Sequence, residues 1–253
     1  MKTLAAAALA AALLSAGPVW ADAHMEGSRP SPAVAAAIAD AGRPAADTAR
    51  DAARRPADLL VFAGVKPGDK VADLLPGGGY FTRLFSKIVG ATGAVYALEP
   101  VGGESRTAGV MAKLAAEPAH ANVRLVPLGA GTMAVPEPVD VLWTAQNYHD
   151  LHLAQLKLDV AAVNASFFNA VKPGGVFIVV DHAAAPGAPL SVADTLHRID
   201  PAKARAEIEA AGFVFEGEID VLRNPADPHT ASAFDPSIRG KTDQFAYKFR
   251  KPA

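Results

Sequence analysis

Apolar runs and stretches of helical period alternate along most of this chain. Residues 71–75 form an apolar run interrupted by one acid, Asp73. Residues 81–89 place Phe81, Leu84, Phe85 and Ile88 on one side of a helix. Residues 94–98 read as a strand, 107–117 as a helix, and 123–127 and 139–144 as strands. Residues 156–171 read as a long helix stopped by Lys-Pro-Gly-Gly. Residues 176–180, VFIVV, show no polar alternation. A strand of that kind is buried on both faces, as in a parallel sheet covered by helices. Five such strands with helices between them predict an α/β fold with a doubly wound, mostly parallel sheet. After a helix at 201–211, two β-like segments at 213–222 and 244–251 are joined by too little chain for a helical crossover. They predict an antiparallel C-terminal pair and a seven-stranded sheet in all. The loop between them, RNPADPHTASAFDPSIRGKTD, is long enough to be either functional or disordered.

The start of the chain has a different character. Residues 1–23, MKTLAAAALAAALLSAGPVWADA, combine Lys2, a short apolar run and small-residue cleavage sites. This predicts a secretory signal peptide, too short to span a membrane comfortably. The expectation is an exported protein of the bacterial periplasm with no stable membrane anchor after cleavage. Residues 24–45 read as a flexible tether containing one short helix at 33–40. Residues 46–65 read as helical and split at Arg55-Pro56, because proline disfavours a helical residue before it. Residues 46–253 are then a single domain, with no internal repeat.

Composition removes several classes of function. The 253 residues carry a formal net charge of −2 and no basic stripe, so nucleic acid is not an expected partner. Cysteine is absent, which excludes disulfides, thiolate metal sites and a cysteine nucleophile.

Candidate chemistry begins at VADLLPGGGYFT, where three glycines follow the first strand. Ligands of open parallel sheets bind beyond the carboxyl ends of the strands, and glycine lets a ligand approach the main chain without a Cβ in the way. The second strand, VYALEP, ends on Glu99, where an acid is placed to bind the two hydroxyls of a ribose. No G-x-G-x-x-G run accompanies it, so the implied ligand is a nucleoside without a diphosphate.

VADLLPGGGYFTRLFSKIVGATGAVYALEP resembles motif I through the second strand of the Rossmann-like S-adenosylmethionine-dependent methyltransferases. RDAARRPADLLVFAGVKPG, NYHDLH, KPGG-VFIVVDHAA, LHRID and TDQFAYKFRKP extend the likeness to a group of exported bacterial members. The resemblance implies S-adenosylmethionine as cofactor. It places Asp73 near the amino-acid end, Gly77 and Gly79 beside the methionine portion, and Glu99 on the ribose. Pro76 and Gly78 complete the turn, Tyr80 packs over the cofactor, and Asn147 joins from beyond the fourth strand. Two departures stand out. The family's usual first glycine falls on Leu75, and the polar residue that often reads the adenine after the third strand is replaced by PLGAG.

Five of the seven histidines fall in the segments expected at the carboxyl edge of the sheet. TAQNYHDLH supplies Tyr148, His149, Asp150 and His152, DHAA supplies Asp181 and His182, LHRID supplies His197, Arg198 and Asp200, and the tail loop supplies Asp227 and His229. His149 is the expected general base, as a neutral imidazole. Tyr148, Asp150, Asp181 and His182 complete the catalytic set, and Arg54, His197 and Arg198 the acceptor-binding set. His149, Asp181 and His182 also offer N and O ligands for a divalent metal, although a base rather than a metal is the expectation. The segment after the fourth strand lacks the Pro-Pro-aromatic run of enzymes that methylate bases, so a small-molecule acceptor is expected. The alternative is an exported, non-catalytic protein that keeps the fold and binds a nucleoside or a metal.

Overall fold

Seven strands make one sheet in the computed structural model, which describes residues 29–100, 109–129 and 132–253. The expected signal peptide lies outside these residues. The strands are β1 (Lys70–Leu74), β2 (Ala94–Pro100), β3 (Val123–Leu128), β4 (Val139–Ala145), β5 (Val171–His182), β6 (Val214–Glu218) and β7 (Gln244–Arg250), in the order β3-β2-β1-β4-β5-β7-β6. The pairs among β1 to β5 are parallel. β7 runs antiparallel to both β5 and β6, as the sequence predicts. The order turns back between β1 and β4, so the crevice at the carboxyl ends of these two strands is the switch point where open α/β sheets take ligands.

The helices are α1 (Pro32–Ile38), α2 (Ala45–Thr48), α3 (Asp51–Arg54), α4 (Pro56–Ala63), α5 (Tyr80–Val89), α6 (Val110–Ala116), α7 (Val160–Ala170), α8 (Val192–Leu196) and α9 (Pro201–Ala210). Side chains alternate between the two faces of each strand. Val71, Val95, Trp143 and Ile178 share one apolar layer with Leu84 and Phe85. Ala72, Tyr96, Leu142 and Phe177 share the other with Phe167 and Ile208. Both faces are covered, which is why β5 could dispense with polar residues.

Several boundaries differ from those read along the chain. Residues 31–45 are not a tether: Ser31 caps α1 by accepting from the Val34 N–H, and Val34 and Ala37 are buried in the core. The Arg43 guanidinium fixes the following turn on the Ile38 carbonyl and the Asp51 carboxylate. The long helix starts at Val160 rather than at 156, because Asp159 accepts from the Ala162 N–H and caps it there. β5 begins at Val171, so the Lys-Pro-Gly-Gly segment stops the helix from within the next strand. The helix expected at 107–117 is α6 where it is described, and residues 107 and 108 lie outside the described residues. β6 is shorter than 213–222, and α8 adds a helix to those the sequence predicts.

The long loop between β6 and β7 is ordered by buried carboxylates. Asp227 takes both terminal nitrogens of Arg198, at 2.8 and 3.1 Å, and the Asp243 N–H at 2.7 Å. Asp243 accepts from Arg223 Nε at 2.9 Å and from the Asn224 N–H at 2.7 Å.

Candidate functional site

β1 ends in a turn whose backbone is unusual at three positions. Leu75, Gly77 and Gly79 all have positive φ, at 54°, 56° and 78°. For a leucine that region costs about 1–2 kcal/mol, so Leu75 holds a backbone conformation ordinarily left to glycine. Its N–H donates to Leu98 O at 3.0 Å, which locks the turn against β2. A Cβ added to Gly77 or Gly78 would meet nothing within 4 Å, so bare main chain faces open space there. Gly79 differs. A Cβ on it would sit 2.4 Å from Met111 Cε, and it caps α5. The expectation that Gly79 borders a ligand is therefore corrected: it is a packing glycine between α5 and α6.

The turn forms one wall of a cleft of about 370 Å³. Asp73, Leu75, Pro76, Gly77, Gly78 and Tyr80 come from the β1 side; Trp143, Asn147, His149 and Asp150 come from β4 and beyond; His182, His197, Phe234, Arg50 and Arg54 close it. Asn147 donates to Leu75 O at 3.1 Å and to Ala145 O at 2.8 Å, joining the two loops. The buried indole N–H of Trp143, a cleft residue, has no hydrogen-bond partner among the described residues. An apolar cavity of about 420 Å³ adjoins and shares Leu75 and Asp150 as walls; Leu74, Pro100, Leu128 and Leu151 line it.

Charge in the cleft is set by burial. Asp73 is buried and accepts from Thr82 Oγ1 at 2.6 Å; desolvation pushes its pKa up to about 7. By strand alternation Glu99 shares the sheet face of Asp73. It is not among the walls of these two cavities, and burial raises its pKa. Tyr80 packs beneath Arg54, whose guanidinium carbon lies 4.8 Å from the ring centre. Its hydroxyl bonds to Asp51, and burial followed by that bond raises its pKa.

His149 is not the neutral base expected from the sequence. Its Nδ1 lies 2.8 Å from Asp181 Oδ1 and its Nε2 lies 3.2 Å from Asp150 Oδ1. A carboxylate beside each ring nitrogen favours a proton on both. Burial opposes that charge, but Asp181 and Asp150 together outweigh it and push the pKa up to about 10. His182 is the reverse case. Burial lowers its pKa to about 4, with repulsion from His149, Arg198 and Arg54 adding to the shift. Its Nδ1 lies 2.7 Å from Thr242 Oγ1, and its ring lines the cleft.

Three further expectations are corrected. Tyr148 is fully buried, bonded to Asn164 and Glu207, and does not line the cleft. Arg198 is fully buried against Asp227, Ala183 O and Ala231 O, so it pins the loop rather than binding an acceptor. Asp181 is filled by the His149 N–H, the His149 ring and the His182 N–H, and acts by holding His149. That pairing also disqualifies the His149, Asp181 and His182 set as metal ligands. The donors that do gather within 4.8 Å are those of His149, Asp150 and His197, with Asp181 holding the other ring nitrogen of His149. The sequence reading missed Gln146, Trp143, Phe234 and Arg239. The signal for Gln146 lay beside the histidines in TAQNYHD, but the other three look like ordinary core or loop residues.

No family model matches the chain, and no curated protein matches it. Solved structures do. A SAM-dependent methyltransferase from Aquifex aeolicus is 20% identical, with 76% of this chain and 86% of that chain covered at a TM-score of 0.53. Fibrillarin from Aeropyrum pernix, with natively bound S-adenosyl-L-methionine, is 16% identical over 79% and 76% at 0.51. The [4+2]-cyclase SpnF is 14% identical over 85% of each chain at 0.56. At these identities the likeness is one of architecture, and the chain has the Rossmann-like fold of the S-adenosylmethionine-dependent methyltransferases.

Proposed function

We infer that this protein transfers the methyl group of S-adenosylmethionine to a small-molecule acceptor, in an exported setting. The observation that carries the reading is the open main chain of Gly77 and Gly78 at the switch point, between Asp73 and an apolar cavity. Fold alone does not decide function, since one structure of this architecture is a cyclase.

The residues suit the cofactor. The cavity walled by Leu74, Pro100, Leu128 and Leu151 is apolar enough for an adenine ring. Glu99 closes β2 where a ribose would lie, and Asp73 with Asn147 flanks the place of the amino-acid end. The departure at Leu75 is accommodated, because its backbone follows the glycine-like path and its side chain separates the two cavities. His149 between Asp181 and Asp150 makes a group of net negative charge, compatible with a cation nearby.

When bound, S-adenosylmethionine supplies an electrophilic methyl carbon on a sulfonium, transferred by direct displacement. The protein's main contribution is then alignment of the nucleophile. His149, fixed on both nitrogens, orients Asp150 and the cleft wall. His182 receives the acceptor's proton. It is neutral across the ordinary pH range, and its Nε2 has no partner among the described residues. It is a weak base, which suffices because a hydroxyl or amine becomes strongly acidic as it gains a methyl group.

Calorimetry of S-adenosylmethionine on the mature chain tests the reading, with Glu99→Ala alongside. We expect saturable binding, weakened in the variant by about 1–3 kcal/mol through a lost charged hydrogen bond. Absence of binding to the wild type would sink it.

A further inference from the structure

We propose that the chamber bounded by Arg54, Arg239 and Phe234 binds the carboxylate of the methyl acceptor, which makes the substrate an aromatic or similarly apolar carboxylic acid. The inference rests on the methyl-transfer reading and deepens it by naming a substrate class.

A cavity of about 260 Å³ lies against the main cleft and shares Arg50, Arg54, Gln146, His182 and Phe234 with it; Arg239 and Gln244 line this chamber and not the main cleft. Three of its walls are guanidinium side chains and none is an acid. Arg50 is matched by Asp47 at 2.7 Å. Arg54 and Arg239 have no carboxylate partner among the described residues. Arg54 is largely desolvated, and burial lowers its pKa. A guanidinium in that position is stabilised by an arriving anion, and its flat array of donors matches both oxygens of a carboxylate.

The chamber is also built. Arg54 Nη2 donates to Gln146 Oε1 at 3.0 Å, and Gln146 Nε2 donates to Gln244 Oε1 at 3.0 Å. This chain of amides aims the guanidinium, and Gln146 holds a left-handed backbone (φ 64°) to take part. Strain of that kind persists where surrounding structure enforces it and clusters at functional sites. Among the other walls, Phe234 is 57% exposed, and its ring centre lies 4.6 Å from that of His197. An apolar ring resting on Phe234 and a carboxylate on the arginines describe one amphiphilic ligand. His182 is a wall of both spaces, so an acceptor held this way extends past it toward the main cleft.

The cofactor carries a carboxylate too, and Arg239 separates the two sources. Binding of benzoate, of its neutral isostere benzamide and of S-adenosylhomocysteine is measured on the mature wild type and on Arg239→Ala, whose exposed side chain is not part of the core. We expect benzoate to bind at least tenfold more tightly than benzamide. Arg239→Ala should weaken benzoate about tenfold and leave S-adenosylhomocysteine unchanged. Equal affinity for benzoate and benzamide overturns the proposal. So does an Arg239→Ala variant that loses S-adenosylhomocysteine while keeping benzoate, since the chamber would then serve the cofactor. Intact benzoate selectivity without any S-adenosylhomocysteine binding removes the methyl-transfer reading and supports the anion chamber.

Discussion

Gly77 and Gly79 look equivalent in the sequence and do different work. Alanine at Gly77 costs about 1 kcal/mol for its positive φ and places a methyl group in the open cradle. Alanine at Gly79 adds a collision with Met111, an overpacking term of about 1–3 kcal/mol. Gly79→Ala is therefore expected to show the larger fall in thermal midpoint, with binding retained by the folded fraction. Gly77→Ala should weaken S-adenosylmethionine at least tenfold with a fall of only about 2–4 °C. Thermal melts and calorimetry on both variants check this. Asp73 offers a second residue-level test. Its pKa near 7 leaves it partly protonated at neutral pH, and a cation entering the cleft favours the carboxylate. S-adenosylmethionine binding should therefore release protons between about pH 6 and 8, seen as a dependence of binding enthalpy on buffer ionisation. Asp73→Asn should abolish that dependence.

At the scale of elements, the loop between β6 and β7 brings Phe234 and Arg239 to the cleft, and the Arg198–Asp227 pair holds it there. Both side chains are fully buried, and breaking such a pair from one side costs about 3–5 kcal/mol because the remaining charge is left alone. Arg198→Met should lower the thermal midpoint and open residues 223–243 to limited proteolysis. Cleavage first elsewhere in the chain would assign that role to other contacts. The short helices α2 and α3 act similarly. They are too short to be stable alone, and they persist because their arginines and acids lock onto Tyr80 and Arg83.

For the whole molecule, the buried histidines add two opposed contributions to the pH dependence, beside that of Asp73. His182 titrates near 4 folded and near 6.5 unfolded, so the unfolded chain binds more protons between those values. Its contribution to stability is present above 6.5 and is lost as pH falls toward 4. His149 is opposite: its folded pKa of about 10 gives stability that is full below 6.5 and lost as pH rises toward 10. Denaturant melts should therefore weaken from pH 7 to 10 in the wild type. His149→Gln should flatten that limb, and His182→Gln should flatten the His182 part of the acid slope.

The sequence by itself determined the seven-stranded sheet, the antiparallel end pair and the place of the cleft. Apolar runs, helical periods and glycine turns are local properties, and local sterics and burial decide them. Asp73, Gly77, Asn147 and His182 could be placed at the cleft because strand ends share one edge. Only the tertiary structure decided which side chains face that edge and how they are charged. Arg198, Tyr148 and Asp181 turned inward onto partners distant in sequence. His149 became a cation because two carboxylates converged on it, and Arg239 joined Arg54 across some 185 residues. Burial and charge pairing depend on neighbours in space, and nothing in the order of residues along the chain encodes those neighbours directly.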